Sequence, residues 1–290
     1  DKTGGATRWI QVTPSFKFQP SELCKILLVI FFAGFFMKYQ EQLNTWRILA
    51  LSLILIGIPL LLIVKEPDLS TTIATTMIFV TLLFVAGLSY KIVAGVLALG
   101  VPVSIIGVIL ILKQALPLKE YQYSRILSWL QPSKYADDAY QQQNSIMAIG
   151  SGQLWGKGLN NSSIASMKNG NFISEPQTDF IFAVVGEELG FIGCLIVIIL
   201  LLLIVFECIL IAKNAKDLGG RLLCCGIAAL IGFQSFINIC VTTGLMPNTG
   251  LPLPFVSYGL TSLLSLFIGL GLVLNVGLQA RKYHGLGDIE

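Results

Sequence analysis

The chain has 290 residues, 54% of them hydrophobic and only 12% charged, where an ordinary soluble domain carries roughly 25% charged residues. The formal net charge of +3 is too small to point to nucleic acid, and all six cysteines (Cys24, Cys194, Cys208, Cys224, Cys225, Cys240) fall inside apolar runs. They read as small core residues, which sets aside a disulfide or zinc framework. The single histidine, His284, lies in the polar tail, so a His-based catalytic or metal site is not expected.

Several apolar runs reach the roughly 18–20 residues that cross a bilayer. The expected fold is therefore all-α, a polytopic transmembrane helical bundle. The chain opens on Asp1-Lys2-Thr3-Gly4-Gly5, without an initiator Met or a signal-like segment, and reads as starting inside a loop with spans absent upstream. Residues 1–20 form a polar loop punctuated by Gly and Pro, with Arg8, Trp9 and Lys17. Pro20-Ser21-Glu22 then opens a span over about 21–39 with Ser21 as its N-cap. Further spans follow at about 48–64, 70–88 and 92–112, with the charged turn Lys65-Glu66-Pro67-Asp68 between the first two of these. Residues 113–178 are mostly polar and far longer than an ordinary connection, which argues for function. Within them, 121–131 and 138–149 have the spacing of short interfacial helices, and 156–172 read as flexible loop. The apolar run 180–213 is too long for one simple crossing, so its first turns are expected to stand in a protein-lined aqueous cavity. Spans at about 221–243 and 260–279 bring the total to seven, in a single domain over 1–290 with no internal repeat.

Lys38, Arg47, Lys91, Lys213, Lys216, Arg221, Arg281 and Lys282 fall on one side of these spans, with few acids among them. By the positive-inside rule that side is cytoplasmic. The first loop, the Lys65–Asp68 turn, the 113–178 segment and the 244–259 loop then face outwards.

Those outer segments carry nearly all the unusual polar residues. Glu22 and Lys25 are spaced i,i+3, which suits a local ion pair. The long loop supplies Arg125, Asp137, Asp138 and Lys157. It ends on Ser174-Glu175-Pro176-Gln177-Thr178-Asp179, where Thr178 or Asp179 suits a helix N-cap. Glu187 and Glu188 follow eight and nine residues later, roughly 12–13 Å along a helix. Acids at that depth need water or a partner. The segment Pro247 to Gly259 is dense in Pro and Gly, a backbone tolerated at membrane depth where protein buries it or a cavity adjoins it. Gln234, Asn238 and Thr242 recur every four residues on one helix face, as interhelical hydrogen bonding or substrate contact requires. No Walker loop, nucleophile elbow, metalloprotease helix or dinucleotide fingerprint is present. These residues alone leave transport and membrane-lipid chemistry equally open.

A set of motifs narrows the choice: Gly5-Ala6-Thr7-Arg8-Trp9-Ile10; Gln19-Pro20-Ser21-Glu22 with Lys25; Pro67-Asp68-Leu69; Tyr140-Gln141 and Ala148-Ile149-Gly150-Ser151-Gly152; Glu175-Pro176 with Thr178-Asp179-Phe180-Ile181-Phe182; and Thr249-Gly250 with Pro252-Leu253-Pro254-Phe255 and Ser257-Tyr258-Gly259. In their joint order and spacing the chain resembles the SEDS family (shape, elongation, division and sporulation), the RodA, FtsW and SpoVE group. Two positions depart from the family pattern: Asn144 stands where a second Gln is common, and Leu260 where a second Gly is. Members usually have ten spans, so the resemblance implies that three are absent upstream. It also implies a peptidoglycan glycosyltransferase that polymerises lipid II at the outer face of the cytoplasmic membrane. The family's essential aspartate maps to Asp179, a general base for the acceptor hydroxyl. Arg8, Lys25, Arg125 and Lys157 are candidates to meet the pyrophosphate leaving group. Glu175, Thr178 and Ser257 join them as substrate-binding candidates. Glu22, Glu187, Glu188, Gln234 and Asn238 are expected to line the cavity or serve as structural polar groups. A divalent cation, Mg or Mn, suits a carboxylate and a phosphate together. The expected partners are lipid II, a class B penicillin-binding protein and membrane lipids. A lipid II transporter and a non-enzymatic scaffold of the wall-synthesis machinery are the alternatives.

Overall fold

The computed structural model describes residues 10–13, 16–66, 68–95, 98, 110, 120–159 and 176–287. The first loop is not wholly irregular. Strands β1 (Ile10–Thr13) and β2 (Phe16–Phe18) pair antiparallel, with Ile10 opposite Phe18, Gln11 opposite Lys17 and a bulge before Thr13. Their β-branched and aromatic residues alternate with polar ones over so few positions that the pattern is easily read as loop.

Helices α1 (Pro20–Lys38), α2 (Trp46–Lys65) and α3 (Leu69–Val85) come next. The N-cap of α1 is Gln19, not Ser21, because Pro20 takes the first helical position, where its missing N–H costs nothing. Asp68 caps α3, its carboxylate accepting from the Thr71 amide at 3.0 Å. Asp68 is buried. The expected span at 92–112 lies largely outside the described residues, although a helical turn opens at residue 90. Helices α4 (Glu120–Leu130) and α5 (Ala136–Ser151) stand where short loop helices were expected. The long helices α6 (Ile181–Lys213), α7 (Leu218–Thr242) and α8 (Leu260–Gly287) complete the order. Among the described residues, five helices are long and apolar enough to cross a membrane: α1, α2, α6, α7 and the Leu260–Gln279 part of α8.

The chain divides into two compact units. The first comprises 1–87, 196–237 and 251–290, and the second 88–195 and 238–250. In the first, α1 packs on α3 and α8, and α2 on α3. Phe32 meets Phe79 edge-on at 4.9 Å and stacks on Phe36 at 5.4 Å. Gly226 of α7 lies hard against this layer, since a Cβ there would come 2.5 Å from a Val29 methyl. Leu53, Ile54, Leu61 and Leu62 of α2 stay largely exposed, as suits a face turned to lipid tails no less apolar than leucine.

In the second unit α4 packs on α5, α5 satisfies carbonyls at the end of α7, and both hold the turn that follows it. The last four carbonyls of any helix lack internal partners. Here Gln142 donates to the Val241 and Met246 carbonyls at 2.8 and 2.7 Å, and Ser145 donates to that of Thr242 at 2.8 Å. The Trp129 indole donates to the Gly244 carbonyl at 2.9 Å.

The length of α6 has a different resolution from the one expected. Gly190 leaves helical geometry (φ 65°, ψ −162°), so a short helix over 181–189 precedes a long membrane run. The segment 153–158 stitches the break. The Lys157 and Gly158 amides donate to the Glu187 and Glu188 carbonyls at 2.9 and 3.0 Å. The Phe191 and Ile192 amides donate to the Gln153 and Leu154 carbonyls at 2.8 and 3.2 Å. Groups orphaned by the break are thereby paired, as a backbone away from water requires.

Candidate active site

Asp179 lies in the turn 176–180 that leads into α6. The first helical amides, those of Ala183 and Val184, bond the Phe180 carbonyl at 2.9 and 3.4 Å. Phe180 therefore holds the N-cap position, and neither Thr178 nor Asp179 does. Phe180 is 2% exposed, so an apolar anchor sits at the start of the helix. Asp179 is half-buried, one residue outside the cap. Its backbone carbonyl accepts from the Nδ2 of Asn238 at 2.8 Å, and Asn238 is itself buried. The Asp179 carboxylate lies over Gly250, where a Cβ would sit 3.0 Å from Oδ2. A carboxylate with some solvent access and a fixed main chain can accept a proton from a bound hydroxyl. Thr178 is half-buried beside it.

Arg8 and Glu175 lie outside the described residues. Arg125 is half-buried on α4, in the same unit as Asp179. Lys157 pairs with Glu187 at 2.9 Å, the lysine side chain 28% exposed and the glutamate 3%. Glu187 is thus an ion-pair partner, one of the two roles expected of it. Glu188 is half-buried next to it.

Of the remaining predicted residues, Glu22, Lys25, Gln234 and Ser257 belong to the first unit. Lys25 is 1% exposed, and its ammonium donates to Glu22 at 2.8 Å and to Gln234 at 2.7 Å. Gln234 in turn donates to the Pro252 carbonyl at 3.0 Å. The i,i+3 ion pair is confirmed, and a lysine so enclosed offers no surface to pyrophosphate in this conformation. Ser257 accepts from the Leu253 amide at 2.7 Å, closing a turn in which Phe255 takes a positive φ of 63°. The polar stripe on α7 is likewise engaged with protein: Gln234 with Lys25 and Pro252, Asn238 with Asp179, and Thr242 with carbonyls of its own helix.

Among the described residues no group of three or more His, Cys, Asp or Glu side chains gathers to hold a metal. A Mg²⁺ ion needs no such group, because one or two carboxylates suffice when waters and substrate phosphates complete its shell. Asp179 fits that donor set. Gly250 stands in a quoted motif, but its approach to Asp179 was not expected, nor was the break at Gly190. Gly152, Gly156, Gly186 and Gly190 each sit at a close approach, which their spacing in the sequence does not reveal.

The family model for FtsW, RodA and SpoVE, described as a cell cycle protein, matches residues 1–282. A probable peptidoglycan glycosyltransferase FtsW of Geobacter sulfurreducens is 34% identical over 281 residues, covering 96% of this chain and 71% of the relative. Its counterpart in Haemophilus ducreyi is 34% identical, with 96% and 68% covered. Among solved structures, a chain from a work on structural coordination of polymerization and crosslinking by a peptidoglycan synthase complex matches with TM-score 0.74 and 28% identity, over 97% of this chain and 75% of that one. The rod shape determining protein RodA of Thermus thermophilus matches with TM-score 0.59 and 27% identity, over 97% and 72%.

Proposed function

The chain belongs to the FtsW, RodA and SpoVE family of multi-pass membrane proteins, and on that premise we propose that it is a peptidoglycan glycosyltransferase with Asp179 as its general base. The observation that carries the reading is the setting of Asp179: a half-buried carboxylate outside its helix cap, anchored by its own carbonyl to a buried asparagine. The names of the relatives support the reaction class.

The substrate is lipid II. The acceptor sugar 4-hydroxyl gives its proton to an Asp179 carboxylate oxygen as the hydroxyl oxygen bonds to the donor's anomeric carbon. The bond from that carbon to the polyprenyl pyrophosphate breaks, and the pyrophosphate leaves with the electron pair. Cationic side chains meet this charge. Arg125 and Lys157 share a unit with Asp179, and Arg8 is a further candidate. A Mg²⁺ or Mn²⁺ ion held by Asp179 and the phosphates would add positive charge at the leaving group. The site faces outwards, by the distribution of lysine and arginine in the short loops. A class B penicillin-binding protein is the proposed partner, supported by the likeness to a chain from a peptidoglycan synthase complex.

Replacing Asp179 with Asn in the full-length protein supplied with lipid II should lower the polymerisation rate by about 10²–10⁴-fold. Polymer formed at the unaltered rate by a correctly folded D179N protein would refute the assignment.

A further inference from the structure

We infer that Asn238 and Gly250 are positioning residues for Asp179, one fixing its main chain and the other leaving room for its carboxylate. The inference rests on the proposed role of Asp179 as base, and it adds two residues that act through that aspartate.

Two contacts within the second unit converge on this aspartate. From the last turns of α7, Asn238 donates Nδ2 to the Asp179 carbonyl across 59 residues of sequence, at 2.8 Å. Asn238 is buried, so water cannot readily replace that donor. The hydrogen bond holds the turn 176–180 at the point from which the carboxylate projects. The second contact is steric. Gly250 adopts φ +73°, and a Cβ built there stands 3.0 Å from Asp179 Oδ2, tighter than ordinary van der Waals contact. A side chain at 250 therefore has to push the carboxylate aside or be pushed itself. Glycine meets two separate demands here, the left-handed backbone and the vacant Cβ direction.

Catalysis by a positioned base is sensitive to such displacement. A shift of about 1 Å in a reacting group can cost about 100-fold in rate. Losing the Asn238 donor, or adding a Cβ at 250, should thus slow the chemical step without weakening substrate binding.

The test uses the full-length protein with lipid II, measuring kcat and KM for Asn238→Ala, Gly250→Ala and Gly250→Asn beside Asp179→Asn. Thermal unfolding in the same detergent monitors folding. Asparagine tolerates a left-handed backbone far better than alanine does, yet carries the same Cβ. The expected result is a kcat lowered about 10–100-fold in N238A, G250A and G250N, with KM within about twofold of the parent. Parental kcat in folded N238A would overturn the role of Asn238. Parental kcat in G250N with loss in G250A would show that only backbone freedom matters at 250, and would overturn the role of Gly250. A raised KM with unchanged kcat overturns positioning in either case. If N238A does not fold, Asn238→Leu, which keeps the volume without the donor, takes its place, and parental kcat in that variant overturns the role of Asn238. Failure of the underlying reading appears separately, as full activity in D179N.

Discussion

Lys25 shows how the first unit handles a charge within a membrane-spanning helix. Its ammonium meets Glu22 on the next turn and Gln234 on α7, and both partners are buried with it. Breaking such a pair from one side leaves an uncompensated buried charge, which costs about 3–5 kcal/mol. Lys25→Met should therefore lower stability by that amount, whereas Lys25→Met with Glu22→Gln should recover much of it. Thermal unfolding of both variants in detergent checks the difference. Half of this arrangement was legible in the sequence, because Glu22 and Lys25 share a helix face at a fixed spacing. Gln234 was not, since 209 residues separate it from Lys25 and no local pattern joins them. The same division holds at Asp179. Its motif singled the residue out as a candidate, but the Asn238 donor and the Gly250 approach arise only when distant segments fold together.

At the scale of elements, α6 is the instructive case. The apolar run 180–213 is too long for one straight crossing, yet it holds Gly186, Gly190 and Gly193, and nothing in the sequence singles out one of them as a break. Tertiary contact chooses Gly190, because segment 153–158 supplies hydrogen-bond partners on both sides of it. The conformation of Gly190 belongs to a region that is essentially glycine-only, where another residue pays about 1–3 kcal/mol. A Cβ at 190 would also collide with the backbone of Leu154 and Gly156. Gly190→Ala should consequently loosen the stitch while leaving the membrane run helical. Hydrogen–deuterium exchange should speed up at the Lys157, Gly158, Phe191 and Ile192 amides and stay unchanged in the middle of the long helix. Equal protection in the parent and G190A would contradict this account. The strands β1 and β2 were missed for a related reason: seven residues of alternation carry too little periodicity to stand out from a loop.

For the whole molecule, composition and hydropathy were enough to read an all-helical membrane protein, since a bilayer sets the length and polarity of whatever crosses it. Packing between helices was not readable, because nearly every position in such helices is apolar and period alone does not separate the lipid side from the protein side. Gly226 illustrates what that hides. A Cβ there would come 2.5 Å from Val29 and 3.1 Å from Leu82, so α7 leaves no room for a side chain towards α1 and α3. Gly226→Val should overpack this layer and cost about 1–3 kcal/mol, read as a lower unfolding temperature in detergent. Gly57 has open space around the same Cβ direction, and Gly57→Val serves as the control expected to show little change from packing. The stitched break in α6 also bears on the order of biosynthesis. Lys157 precedes Glu187 by 30 residues, which at about 5–20 residues per second is a wait of about 2–6 s. When Gly190 leaves the ribosome, the strip that must receive its unpaired amides and carbonyls has already been made. A nascent helix broken at that point need not stand exposed in lipid until a later segment arrives.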